Sequence, residues 1–261
     1  MPPSIITLTT DFGRADTYIA QMKGVILSIN PAATIVDATH EIPPQDILRG
    51  SQALGEMWQA FPMATIHVAV IDPGVGTSRG ILAAKCDDRL FVLPNNGLLS
   101  HVLRAKPCDE VVELRNQMYW RTNISSTFHG RDIIAPVAAH LSLGVRLGNL
   151  GPPATDVILL DCQEPQFEER QLIGEIISID HFGNLITNIE VTHLRQIPTT
   201  KIIVRCNQQH IDGLSQTYGT QSTGALIALL SSQGHLELAI VNGNAAAQLG
   251  AHVSDAVAVT W

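Results

Sequence analysis

"SIITLTTDFGRADTYIAQMKGVILSI", residues 4–29, changes its hydrophobic period midway. A β-branched apolar run ends at Asp11, and after a polar loop the apolar residues Ile19, Met22, Val25, Ile26 and Ile29 recur at helical spacing. This predicts strand, loop, helix. "ATIVDAT" (33–39) repeats the strand signal, and "PPQDILRGSQALGEMWQAF" (43–61) repeats the helix, with prolines at its start. "TIHVAVI" (65–71) is a third strand running into Asp72, "GILAAKC" and "RLFVLP" are two more, "NGLLSHVL" is a short helix, and "GRDIIAPVAAHLSLG" (130–144) is a longer one closed by Gly144.

Strands alternating with helices imply an α/β fold with a mostly parallel sheet covered on both faces. In such sheets a ligand sits beyond the carboxyl ends of the strands, which is where this reading puts Asp11, Asp37 and Asp72. From Leu172 the pattern becomes short strands punctuated by Gly, Asn and Asp, which predicts a smaller antiparallel sheet or barrel. The expected domains are residues 1–165 and 171–261.

The 261 residues carry 24 acids against 16 Lys plus Arg, a net charge of -8, without any basic run. Nucleic acid and anionic membranes are therefore not expected partners, since phosphate binding needs a positive patch. With 45% hydrophobic and 15% charged residues the chain is globular, and some apolar surface is expected to lie under a partner subunit. The amino terminus has neither a basic region nor a long apolar run, so the expectation is a cytoplasmic protein. Cys86, Cys108, Cys162 and Cys206 lie far apart without CxxC spacing and read as reduced, isolated thiols.

Five loops offer chemistry. "DPGVGTSR" (72–79) lacks the lysine of a phosphate loop and places Asp72 seven positions from Arg79 among glycines. The pair is either a structural salt bridge or an acid held ionised to orient water. "SSTFHGRD" (125–132) puts His129 on a polar loop, as a proton-moving group or a cap, while Arg131 and Asp132 form a local pair that starts the helix. Asp11 is a ribose ligand or a turn-maker, and Asp16 a helix cap or first-turn acid. In "IDHFGNLITN" (179–188), Asp180 and Asn184 face a ligand or build a turn, and "IVNGNAAAQLG" (240–250) offers small residues and amides to a planar base. No zinc, EF-hand or serine-hydrolase motif occurs, so neither metal nor cofactor is expected.

Taken in order, "TLTTDFGRADTYIAQMKG", "INPAATIVDATHEIPPQDI", "HVAVIDPGVGTSR", "PNNGLL", "SSTFHGRDIIAPVAAHL", "IDHFGNLITNI" and "NGNAA" resemble the S-adenosylmethionine (SAM) hydrolase family, also called SAM hydroxide adenosyltransferases, from Thr7 to Ala246. The resemblance implies an amino-terminal α/β domain and a carboxy-terminal β-barrel, assembled as a homotrimer with active sites between subunits. It implies a catalytic trio of Asp72, Arg79 and His129, with Asp11 on the ribose hydroxyls and Asp180 and Asn184 on the methionine portion. Phe128 and the Asn244 to Ala246 region would line the nucleoside pocket. SAM is then substrate and water the nucleophile. Related fluorinases and chlorinases carry tyrosine in place of Asp72, a tyrosine-serine pair in place of His129-Gly130, and tryptophan in place of Gln45, departures that favour water over halide. Against the common hydrolase pattern, Asn95 replaces an acid in "PNNG" and His181 replaces an arginine. A halogenase and a non-catalytic SAM- or nucleoside-binding module are the alternatives.

Overall fold

The computed structural model of the protein describes residues 4–198 and 201–261. The chain forms two compact units that part between Leu160 and Asp161. In the first, strands β1 (Ile5–Thr10), β2 (Thr34–Thr39), β3 (Ile66–Val70), β4 (Ile81–Cys86), β5 (Arg89–Pro94) and β6 (Glu110–Glu113) make one sheet in the order β2-β1-β3-β5-β4-β6. The pairs β2/β1, β1/β3 and β3/β5 are parallel, whereas β4 runs antiparallel to both β5 and β6. The sheet is thus parallel at its centre and mixed at one edge, because only Asp87 and Asp88, both at positive φ, separate β4 from β5.

Helices α1 (Tyr18–Ile29), α2 (Ile47–Met57), α3 (Ser100–Ala105) and α4 (Ala135–Ser142) cover the sheet. Met22, Ile26, Ile134 and Val137 of the first and last helical segments pack with Ile6, Leu8, Val68 and Val70. Leu54, Trp58, Leu98 and Val102 pack with Ala69, Ile71, Leu82 and Phe91 in a second core. Alternation along β3 feeds both, so all five of its residues are buried. Full burial of each large apolar side chain contributes about 1.5–3 kcal/mol. His67, within β3, is part of this packing. It stacks on Phe91 with ring centroids 5.1 Å apart and lies 2.9 Å from the Thr7 hydroxyl, and burial, helped by Arg89, pushes its pKa down to about 3.

The second unit contains β7 (Gln166–Phe167), β8 (Gln171–Ile179), β9 (Leu185–Glu190), β10 (Ile203–Cys206), β11 (Gln209–Asp212), β12 (Leu226–Leu230), β13 (His235–Ile240) and β14 (Ala256–Thr260), with short helices α5 (Val191–Leu194) and α6 (Ala245–Leu249). The order β11-β10-β14-β8-β9-β13-β12 is antiparallel throughout, and β11 and β12 approach each other, so the sheet curls into a nearly closed barrel. Along β8 every second residue, Leu172, Gly174, Ile176 and Ser178, is buried, the period expected of a strand with one dry face.

Three sequence expectations are corrected. Cys86 and Cys108 are joined by a disulfide, with Cα atoms 4.1 Å apart, and are not isolated thiols. Pairing of β4 with β6, extended by the bond from Asp109 N–H to Lys85 C=O, folds the segment after α3 back onto the end of β4, a long-range contact that spacing does not reveal. Asp37 lies inside β2 rather than beyond it: its carboxylate bonds Lys23 at 2.6 Å and faces His40 Nε2 at 3.0 Å, and these partners hold its pKa low although burial acts to raise it. Asp16 does not cap α1, whose N-cap is Thr17 and whose first turn has no acid. No helix among the described residues is long and apolar enough to cross a membrane.

Candidate active site

A pocket of about 700 Å³ opens at the carboxyl ends of β1 and β3, lined by Asp11, Asp72, Val75, Phe128 and His129 among others. Its chemistry comes from two loops that meet at a glycine. Gly76 has φ of +78°, and a Cβ there would fall 2.2 Å from the Ser126 carbonyl oxygen. The loop after β3 therefore lies directly against the loop before α4, which brings residues fifty positions apart into one cluster.

Arg79 is the centre of that cluster. Its Nε donates to Asp72 Oδ1 at 2.7 Å and its Nη2 to Asp72 Oδ2, a two-pronged contact, while Nη2 also lies 3.2 Å from His129 Nδ1. The Asp72 and Arg79 side chains are only 5% and 9% exposed. A guanidinium has donors and no acceptor, so the Nδ1 lone pair of His129 must receive this bond, and the neutral ring keeps its proton on Nε2. Burial first and Arg79 second hold the His129 pKa below its ordinary value, against the opposing pull of Asp72 and Asp132. His129 is thereby poised as neutral imidazole near pH 7.

Phe128 and Arg131 frame the histidine. The Phe128 ring packs edge-on with Phe12 and Tyr18 at centroid distances of 5.8 and 5.4 Å, and the Arg131 guanidinium lies 4.9 Å from its centroid. Gly130–Ile134 is a single π-helical turn leading into α4, so the helix starts later than its sequence pattern suggests. Asp132, fully buried, binds Arg131, Arg121 and the Ser125 N–H, and these donors hold its pKa near 2 although burial acts to raise it. Asp11 Oδ2 accepts the Gln45 N–H at 2.8 Å. Gln45 adopts φ of +68°, a left-handed conformation costly for a side chain with Cβ, and it lines the same pocket.

The remaining sequence candidates gather in the second unit. Asp180 Oδ1 accepts the N–H groups of Phe182 and Asn184, both at 2.8 Å, and Oδ2 accepts the Asn184 amide at 2.9 Å, so the turn-making reading holds for this pair. Asn244 caps α6 by accepting the Ala247 N–H at 2.7 Å. Ala246 N–H bonds the Gly183 carbonyl, and Gly183, at φ of +85°, leaves no space for a Cβ beside Asn244. Asp180, Asn184, Asn244 and Ala246 thus share one corner of the barrel. Sequence reasoning missed Tyr218, whose hydroxyl bonds the buried Glu237 at 2.5 Å; burial raises both groups' pKa values. It also missed Phe12 and Tyr18, for which the helical period gives no signal because both precede or begin α1. Among the described residues no group of three or more His, Cys, Asp and Glu has metal-holding geometry.

Comparison with known proteins points the same way in both units. Residues 6–151 match the model of the SAM hydroxide adenosyltransferase N-terminal domain, and residues 174–258 that of the C-terminal domain. The chain is 36% identical to the (R)-S-adenosyl-L-methionine hydrolase of Salinispora tropica, over 99% of this chain and 98% of that protein. It is 29% identical to the fluorinase of Nocardia brasiliensis, over 90% and 89%. A crystal structure of an uncharacterized conserved protein from Thermotoga maritima superposes with a TM-score of 0.92 at 35% identity, covering 98% of this chain and all of that one.

Proposed function

The chain belongs to the SAM hydroxide adenosyltransferase family, and from that premise we propose that it is a hydrolase converting S-adenosyl-L-methionine and water to adenosine, L-methionine and a proton. The water oxygen bonds ribose C5′ as the C5′–S bond breaks in line, and the sulfonium takes the electron pair and departs as a neutral thioether. The leaving group needs no acid. What the protein must supply is a fixed nucleophile and a destination for its proton.

The observation that carries this reading is the Arg79 guanidinium shared by Asp72 and His129 on the pocket wall. Arg79 fixes the Asp72 carboxylate with two donors and steadies hydroxide character. His129, with its proton on Nε2, donates to the water oxygen, which leaves Asp72, whose oxygens accept from Arg79 alone among the described residues, as the proton acceptor. Asp11, oriented by Gln45, holds the ribose hydroxyls, and Phe128 packs against the nucleoside. In the same reading the chain works as a homotrimer, in which Asn244 and Ala246 of one copy complete a neighbour's nucleoside pocket and Asp180 and Asn184 contact the methionine portion. Sedimentation at three times the chain mass supports that assembly, and a monomer or dimer with full activity excludes it.

The defining experiment incubates purified protein with each sulfonium epimer of SAM in ¹⁸O-water. Adenosine and methionine in equal amounts, with the label in the adenosine 5′-hydroxyl, are expected. Intact SAM that remains bound would make the protein a binding module, and 5′-halo-5′-deoxyadenosine formed with added halide would make it a halogenase.

A further inference from the structure

We propose that Asp132 is a positioning residue for His129, holding the ring against Arg79 from beneath the loop and contributing the negative charge that balances the site. Asp132 is fully buried, and its two oxygens accept four donors: Arg131 Nε at 2.7 Å and Arg121 Nη1 at 2.8 Å on Oδ1, Arg131 Nη2 and the Ser125 N–H, each at 2.9 Å, on Oδ2. Its backbone closes both ends of the same loop. The Asp132 carbonyl accepts the Arg121 N–H at 2.9 Å, and the Asp132 N–H donates to the Phe128 carbonyl at 3.1 Å. The segments flanking His129 are therefore tied to one residue, by its carboxylate and by its backbone.

Arg131 extends the hold outward. While its Nε and Nη2 grip Asp132, its Nη1 donates to Gln21 of α1 at 2.9 Å, and its guanidinium lies against the Phe128 ring. A charge cluster built on a buried carboxylate gains little stability over apolar packing of the same volume, because desolvation offsets attraction. What it provides instead is a single geometry for the loop. Here that geometry decides whether His129 Nδ1 meets Arg79.

The charged groups around His129 are Asp72 and Arg79 from the loop after β3, and Asp132 with its partners Arg131 and Arg121 from the loop before α4. Removing the Asp132 charge leaves two arginines uncompensated and disfavours imidazolium; removing Arg121 does the reverse. Opposite signs follow from one arrangement, which no loss of folding alone reproduces. This inference rests on the proposed hydrolysis only for its effect on turnover.

The test follows the His129 ring by NMR during pH titration without substrate, in the native chain, Asp132→Asn and Arg121→Met. The imidazole is expected to titrate lower by roughly half a pH unit or more in Asp132→Asn and higher, by less, in Arg121→Met. For hydrolysis, kcat is expected to fall roughly 100-fold in Asp132→Asn with KM changed only a few-fold, and the acid limb of the pH profile to move with the titration. Titrations that stay in place, or move in the same direction in both variants, would reduce Asp132 to a folding clamp and overturn the proposal. If Asp132→Asn does not fold, Arg121→Met decides alone, since Arg121 is 44% exposed and an upward shift is still required of it. Opposite shifts in a protein that hydrolyses nothing would sustain this inference and sink the proposed function instead.

Discussion

Two acid–arginine pairs sit beside the same pocket and put their carboxylates to different use. Among the described residues Asp132 has four donors on its two oxygens, whereas Asp72 has the two that Arg79 supplies. Both carboxylates are buried from solvent, so their burial does not separate them. Donor count does. A saturated carboxylate can hold a loop but has nothing left for a proton, while one with unused lone pairs facing a cavity can take part in chemistry.

The comparison is most exposed at Asp72. Asp72→Asn keeps the shape but removes the charge and the acceptor, and SAM hydrolysis is expected to drop by about 10³-fold, with SAM affinity by calorimetry nearly unchanged. A drop no greater than that of Asp132→Asn would erase the distinction between the pairs. Gly76→Ala sharpens it, because the added Cβ strikes the Ser126 carbonyl and pushes the two loops apart while adding no atom against the Asp132 carboxylate. Turnover is expected to fall roughly 10- to 100-fold, and chemical denaturation should register a loss of about 1–3 kcal/mol. The smallest effect is expected from Arg131→Lys, which keeps the charge but loses the two-pronged bond and the ring contact. Denaturation should show about 1–2 kcal/mol lost, with turnover reduced less than in Gly76→Ala.

Acid sets the pairs apart as well. The pKa of Asp132 is about 2 when folded, against 3.8 unperturbed, so its stabilising contribution is complete above pH 3.8 and is lost as pH falls toward 2. His129 also titrates below its usual 6.5, and protonation at Nδ1 expels the bond from Arg79. Activity is therefore expected to fall on an acid limb below pH 6.5, well before the fold loses the Asp132 contribution. A profile of kcat/KM beside a melting curve at each pH checks the order of the two events.

Much of the fold was legible in residue order. The change of period after Asp11, repeated between β2 and α2, announced strands feeding helices, and the loss of helical period after Leu172 announced the barrel. The antiparallel edge formed by β4 and β6 was not legible, because strand direction depends on where the chain returns, and the Cys86–Cys108 bond was missed with it. In the site, Asp72, Arg79 and His129 stood out as polar residues on loops without apolar period. Tyr18 and Gln45 did not, since an aromatic beside a helix start and a glutamine in a loop have many uses.

Local chemistry along the chain determined which residues carry charge and which loops are free to bend: three glycines follow or flank Asp72, and the histidine is placed where no core demands it. Only the packed molecule decided that Gly76 meets Ser126, that one guanidinium serves both Asp72 and His129, and that Asp132 is spent on its arginines. The reason is that proton affinity and hydrogen-bond capacity depend on neighbours within a few ångströms. Those neighbours here come from segments fifty residues apart, joined only when the sheet and its helices close around their cores.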